Sequence, residues 1–221
     1  QIDVYLHGIK TLLFDRHGFG SKHATNLLIK KIDKLNPDAI GLHNLHGYYV
    51  NIKVLFDYLA KMKKPVIWTL FDCWAFTGHC TYYDSVGCEK WKTVCEKCPK
   101  TDKYPKSLFL DQSTKNFFDK KSIFNSVDNL QIIVHSKWLK EQVEQSFLKD
   151  FPIHHIFNGT NLDVFKPVCE KNEKLVLGVA STWNERKGLK DFFELREQLN
   201  DQLKIVLIGL SQKQIDSLPS G

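Results

Sequence analysis

Apolar and polar positions along the chain alternate between two periods. Ala24, Leu27, Leu28, Ile32 and Leu35 fall at helical spacing, with Ser21 as the start signal and Asn36-Pro37 as the stop. A short apolar run follows at Ala39–Leu42, then a second helical face at Ile52, Leu55, Phe56 and Leu59. Pro65–Leu70 reads as a buried strand. The unit repeats as Leu130–Val134, a helix with Leu139, Val143 and Phe147, and a closing run from Ile153 to Phe157. After the polar stretch Glu170–Lys174 a fresh unit opens with Leu175–Val179, a helix carrying Leu189, Phe192, Phe193 and Leu199, and the strand Lys204–Ile208. Strands alternating with helices predict parallel βαβ units with right-handed crossovers, hence an α/β fold with a doubly wound, Rossmann-like sheet. The expected division is a first domain at 1–167 and the start of a second at 168–221. About 50 residues with two strands are too few to close a core, so the second domain is expected to be incomplete.

Residues 72–112 break the rhythm. No helix or strand period runs through them, yet they are rich in Trp, Tyr and Cys, which argues against disorder. Cys80, Cys88, Cys95 and Cys98 fall in this stretch with a terminal Cys-x2-Cys, the half-site spacing of tetrahedral zinc. A structural zinc, free buried thiols and disulfides are the alternatives, and an unexported chain disfavours the last. Apolar burial alone is not expected to fold this stretch. Cys73 and Cys169 read as spectators.

Composition narrows the class. Hydrophobic residues make up 43% and charged residues 25% of 221, the balance of a globular domain. No apolar run is long enough to cross a bilayer, no export leader opens the chain, and the missing Met suggests a native start upstream. A cytoplasmic protein is expected, peripheral at the inner face of the plasma membrane if at membranes at all. The net charge of +6 comes from dispersed lysines, which form a solvated face or attract phosphorylated small molecules or an anionic membrane. Nucleic-acid binding would want Arg clusters or a known module, and neither is present.

In open α/β sheets ligands sit beyond the carboxyl ends of the strands. That rule selects His43, His46, Asp72, His135-Ser136, Asn158-Gly159 and Ser181–Lys187. His43 and His46 flank a strand-to-helix loop. Asp72 is a loop cap or a base and hydroxyl acceptor. Ser136 has the position of an N-cap, and Asn158-Gly159 that of a turn. Arg186-Lys187-Gly188 precedes a helix start, where free N–H groups, the positive dipole end and two cations suit a diphosphate.

The residues Asn36-Pro37-Asp38, His43–Tyr49 and Trp68–Cys80 resemble bacterial retaining glycosyltransferases of family four, nearest the exopolysaccharide subgroup with its colanic-acid-type enzymes. Val134–Leu139, Phe157–Thr160, Phe165–Pro167 and Gly178–Gly188 are similar to that family further on. The resemblance implies the two-domain GT-B fold and transfer of a sugar from a nucleoside diphosphate to a glycan or lipid-linked acceptor, with retention and without a catalytic metal. It implies that Lys187 and Arg186 with Gly188 neutralise the leaving diphosphate, that Ser136 and Asn158 belong to the same donor side, and that His43, His46 and Asp72 face the acceptor. Phe71 stands where the family often has His. The family's opening strand and Gly-rich loop would precede Gln1, and its paired glutamates would follow Gly221, so this stretch alone is expected to be inactive. A non-catalytic sugar- or nucleotide-binding module on the same fold is the alternative. A zinc hydrolase is disfavoured, since four Cys ligands leave no open position for water.

Overall fold

The computed structural model describes residues 2–167, 174–199 and 203–218. It is a mixed α/β structure with parallel sheets, and it divides into two compact units, residues 1–159 and 160–221. Cys169 and most of the polar stretch after it lie outside the described residues.

The first unit opens with two helices, α1 (Ile2–Phe14) and α2 (Lys22–Leu35). It continues with β1 (Ile40–His43), α3 (Ile52–Met62), β2 (Val66–Leu70), α4 (Ser113–Phe124), β3 (Leu130–Val134), α5 (Lys137–Glu144) and β4 (Ile153–His155). The strands pair in parallel in the order β1-β2-β3-β4. That order never reverses, so the second winding expected for the sheet is not seen among the described strands. It would need a strand on the far side of β1, and the residues before β1 form helices instead.

Capping chemistry sets several of the boundaries. Asn51 accepts the amide of Val54 at 3.0 Å and starts α3. Asn36 ends α2 in the left-handed region at φ 45°, its N–H bonded to the Ile32 carbonyl. Ser21 does not start α2 by side-chain capping. It is left-handed at φ 52°, and its hydroxyl turns away to the carbonyls of Asp3 and Tyr48.

The core lies between the sheet and α3–α5, with Ile52, Leu55, Phe56 and Leu59 meeting Trp68, Leu130, Ile132 and Val134. Phe56, Trp68 and Phe124 form a ring triad with centroids 4.7–5.6 Å apart.

Residues 72–112 contain three short 3-10 turns and no longer element. They are nevertheless folded by apolar burial, contrary to the sequence expectation. Trp74, Phe76, Tyr83 and Trp91 are all buried and belong to the same core as the sheet. Tyr83 stacks on Trp91 at 4.9 Å, Phe76 lies 5.2 Å from the Trp91 ring, and the Trp91 indole N–H donates to the Cys88 carbonyl. Such packing has no period and so leaves no trace in a periodicity reading.

In the second unit β5 (Leu175–Val179) pairs in parallel with β6 (Lys204–Ile208), joined through α6 (Leu189–Leu199), and α7 (Gln212–Ile215) follows. Trp183 is buried and packs edge-on to Phe192 at 5.4 Å. Gly178 makes this packing possible, because a Cβ there would come within 2.8 Å of Trp183 and Phe192.

Candidate functional site

The carboxyl ends of β1 and β2 bring His46 and Asp72 together. His46 Nε2 lies 2.8 Å from Asp72 Oδ2, with the two side chains 16% and 13% exposed. A carboxylate only accepts, so Nε2–H is the donor. The other carboxylate oxygen accepts the Trp74 amide at 2.9 Å, which closes a small turn. Each Asp72 oxygen thus holds one protein hydrogen bond and keeps lone-pair capacity. Asn44, Leu45, Thr69 and Phe71 line the same small cavity with this pair.

A buried lysine holds the turn. Lys120 is fully enclosed and donates to the carbonyls of Trp74 at 2.7 Å and Thr77 at 3.0 Å, its ammonium 3.6 Å above the Trp74 ring. Burial pulls its pKa down to about 7. A second anchor is the fully buried pair Asp15 and His79, 2.5 Å apart, which joins the end of α1 to the 72–112 excursion. Asp15 also accepts the Gln112 amide just before α4.

Around His46 stands a collar of rings. The Trp74 ring is 5.4 Å away, Tyr104 5.8 Å and His17 6.0 Å. His17 is buried, and burial drives its pKa well below the ordinary imidazole value, so it stays neutral. Gly18 beside it has φ +87°, and a Cβ there would strike Trp74 at 2.9 Å. Sequence reasoning missed His17, Trp74, Tyr104 and Lys120 as parts of this neighbourhood. The position of Trp74 two residues after Asp72 was the available local signal.

The other selected residues are placed differently. His43 is exposed and belongs to a separate row of rings, 6.2 Å from Phe71, which lies 4.8 Å from His135. Ser136 caps α5, accepting the Leu139 amide at 3.1 Å. Asn158 and Gly159 lie in irregular chain after β4, with no turn. In the second unit Arg186 and Lys187 are exposed on a 3-10 turn that Asn184 caps, and Gly188 closes it at φ 72° just before α6.

Cys80, Cys88, Cys95 and Cys98 line one small cavity with His79, Tyr83 and Trp91, and His79 Nε2 is buried there without a partner. These four and Cys73 are free thiols. The hydrogen bond with Cys80, followed by burial, raises the Cys98 thiol, and burial pushes Cys95 up to about 12. Among the described residues no group of three or more His, Cys, Asp or Glu side chains is arranged to hold a metal ion. The donors as they stand do not fit zinc, and the expected four-thiolate site is not supported. Aromatic packing and the anchors of Asp15 and Lys120 hold the excursion instead.

No protein-family model matches the chain, and no solved structure matches it. A curated protein of Escherichia coli (strain K12), "Putative colanic acid biosynthesis glycosyl transferase WcaC", is 36% identical over 121 residues, covering 52% of this chain. The chain spans 28% of that relative's length. No helix among the described residues is long and apolar enough to cross a membrane.

Proposed function

We propose that this protein takes part in glycosyl transfer, moving a sugar from a nucleoside diphosphate to a hydroxyl of a growing glycan or lipid-linked acceptor. The observation that carries the reading is the His46–Asp72 pair at the carboxyl edge of the parallel sheet, in a chain similar to a polysaccharide-building transferase. Asp72 receives the acceptor hydroxyl, and His46 holds its carboxylate in place. As the acceptor oxygen bonds to the anomeric carbon, its proton passes to Asp72 and the bond from that carbon to the diphosphate breaks. Lys187 and Arg186, ahead of α6, stabilise the charge of the departing diphosphate, and no metal is needed for that role. The family resemblance favours the GT-B arrangement and retention at the anomeric carbon, which in a single step requires the acceptor oxygen to enter on the face that the diphosphate leaves. His43, Ser136 and Asn158 belong to the wider ligand surface in this reading, and anionic membrane is the surface at which a lipid-linked acceptor is met.

The test is transfer from UDP- and GDP-sugars by the protein at its natural length. Asp72→Asn keeps the shape of the carboxylate and removes its basicity, and turnover is expected to fall by about a hundredfold or more. Lys187→Ala is expected to cost a comparable factor in kcat, as loss of a charged stabiliser does. Normal turnover in Asp72→Asn returns Asp72 to the role of a loop cap. Nucleotide-sugar binding without any turnover supports a non-catalytic module.

A further inference from the structure

The excursion at 72–112 uses its aromatic residues in two ways. Tyr83 and Trp91 bury themselves and close the fold of the loop. Tyr104, on the returning limb, crosses to the loop after β1. Its hydroxyl donates to the His46 carbonyl at 2.6 Å and stands 3.2 Å from His46 Nδ1. The phenol's one proton goes to the carbonyl, so in the ring contact Nδ1–H donates to the phenol oxygen, and the two bonds hold the main chain and the ring of a single residue. An imidazole on a loop otherwise turns freely about χ2, a broad and nearly two-fold torsion, so either nitrogen could face Asp72. With Nδ1 held at Tyr104, Nε2 is the nitrogen that faces the carboxylate. The Tyr104 ring also closes the collar, 5.5 Å from His17 and 6.2 Å from Tyr48. Burial raises its hydroxyl above the ordinary phenol value, so it remains a donor across the working pH range.

The limb that carries Tyr104 is tied on both sides. Leu108 N–H donates to the Leu12 carbonyl of α1 at 2.8 Å. Asp111 accepts the Cys98 amide at 2.6 Å with one oxygen and the Ser113 amide at 2.9 Å with the other, linking the thiol-lined part of the loop to the start of α4.

We propose that Tyr104 is a positioning residue for the His46–Asp72 pair, and that the Cys-rich excursion is the strap that delivers it. The inference rests on the reading of that pair as the acceptor-side site. Its geometric half can be measured without any transfer. In protein labelled with 15N at histidine, with His46 assigned through a His46→Gln variant, Tyr104→Phe should move the His46 Nδ1 resonance and leave those of His7 and His79 in place. Asp111→Ala loosens the strap and touches neither ring, so it should move the same resonance in the same direction by less.

In transfer assays Tyr104→Phe should lower kcat by roughly ten- to a hundredfold, the cost of a small misplacement of a catalytic group, with little change in acceptor KM. A His46 spectrum unchanged in Tyr104→Phe overturns the proposal, whatever the kinetics. A shifted spectrum with unchanged kcat overturns the positioning role and leaves Tyr104 as packing. If the unaltered protein transfers no sugar, the functional reading fails, and the nitrogen spectrum alone decides whether Tyr104 holds His46.

Discussion

His46 and Asp72 stand at the edge of a four-stranded sheet whose inner strands are largely buried, Asp72 beside a turn held by Lys120 and His46 within a collar of rings. Arg186 and Lys187 stand on a short turn in a unit whose two strands leave Leu177, Val179 and Ile208 more than half exposed. Parallel strands are normally covered on both faces, and in the second unit Trp183 is a lone large buried anchor among the described residues. The difference bears on what each region can do. In the proposed reading a carboxylate that must meet one hydroxyl needs rigid support, and both Asp72 oxygens hold a hydrogen bond. In the same reading, cations that neutralise a diphosphate would act through charge as well as contact, and a solvent-facing turn before a helix would suffice for them.

The sharpest way to break that comparison is to remove a tryptophan from each side. Trp91→Ala empties a site walled by Phe76 and Tyr83, and urea unfolding should register a loss of about 3–5 kcal/mol. Trp183→Ala removes a ring that packs on Phe192 and donates to the Ile208 carbonyl at 2.9 Å, among partly exposed neighbours. Its cost should be smaller and confined to the second unit, leaving the near-ultraviolet signal of the first unchanged. Equal losses in one shared transition would mean that the two units do not differ as their burial indicates.

Much of this contrast was legible in the sequence, and the reason is period. The strands at 40–43, 66–70 and 130–134 and the helices α3 and α5 bury regular faces, and the strand at 175–179 keeps the same apolar run although most of it is exposed, so their residues announce themselves. α4 escaped because polar Ser113, Asn116 and Lys120 share its buried face with Phe117, Ile123 and Phe124, which interrupts the apolar stripe. The excursion was read as lacking apolar support because its aromatic residues bury at irregular intervals. Asp72 and His46 could be selected from their places after strands. Tyr104 could not, since it lies 58 residues from its partner and nothing near it in sequence points there. The Cys spacing placed four thiols around one cavity, but a half-site pattern says nothing of whether the donors are arranged to hold a metal ion.

Lys120 offers a milder test of how the first unit is locked. Its folded pKa of about 7 lies below the ordinary 10.5 because burial disfavours the ammonium. Below pH 7 both folded and unfolded chains carry the proton, and the burial penalty is present in full. Between about 7 and 10.5 the unfolded chain keeps the proton and the folded chain releases it, so stability contributed by this group rises with pH across that window. Lys120→Met should flatten the rise in a series of melting curves, at some cost from the unpaired Trp74 and Thr77 carbonyls. A slope that persists unaltered would assign the pH dependence to other groups and leave Lys120 charged in the fold.

The smallest effect concerns Ser136, at the carboxyl end of β3, where a cap and a ligand contact would look alike in sequence. Its hydroxyl accepts the Leu139 amide, and Ser136→Ala should cost about 1 kcal/mol of stability through the lost cap. Ser136→Asp separates the two roles, because aspartate caps as well as serine and its charge also suits a helix N-terminus. Stability should therefore be retained in Ser136→Asp. If Ser136 also meets a phosphorylated ligand, the added carboxylate repels it, and the KM for nucleotide sugar should rise although the fold is intact. An unchanged KM would confine Ser136 to capping α5.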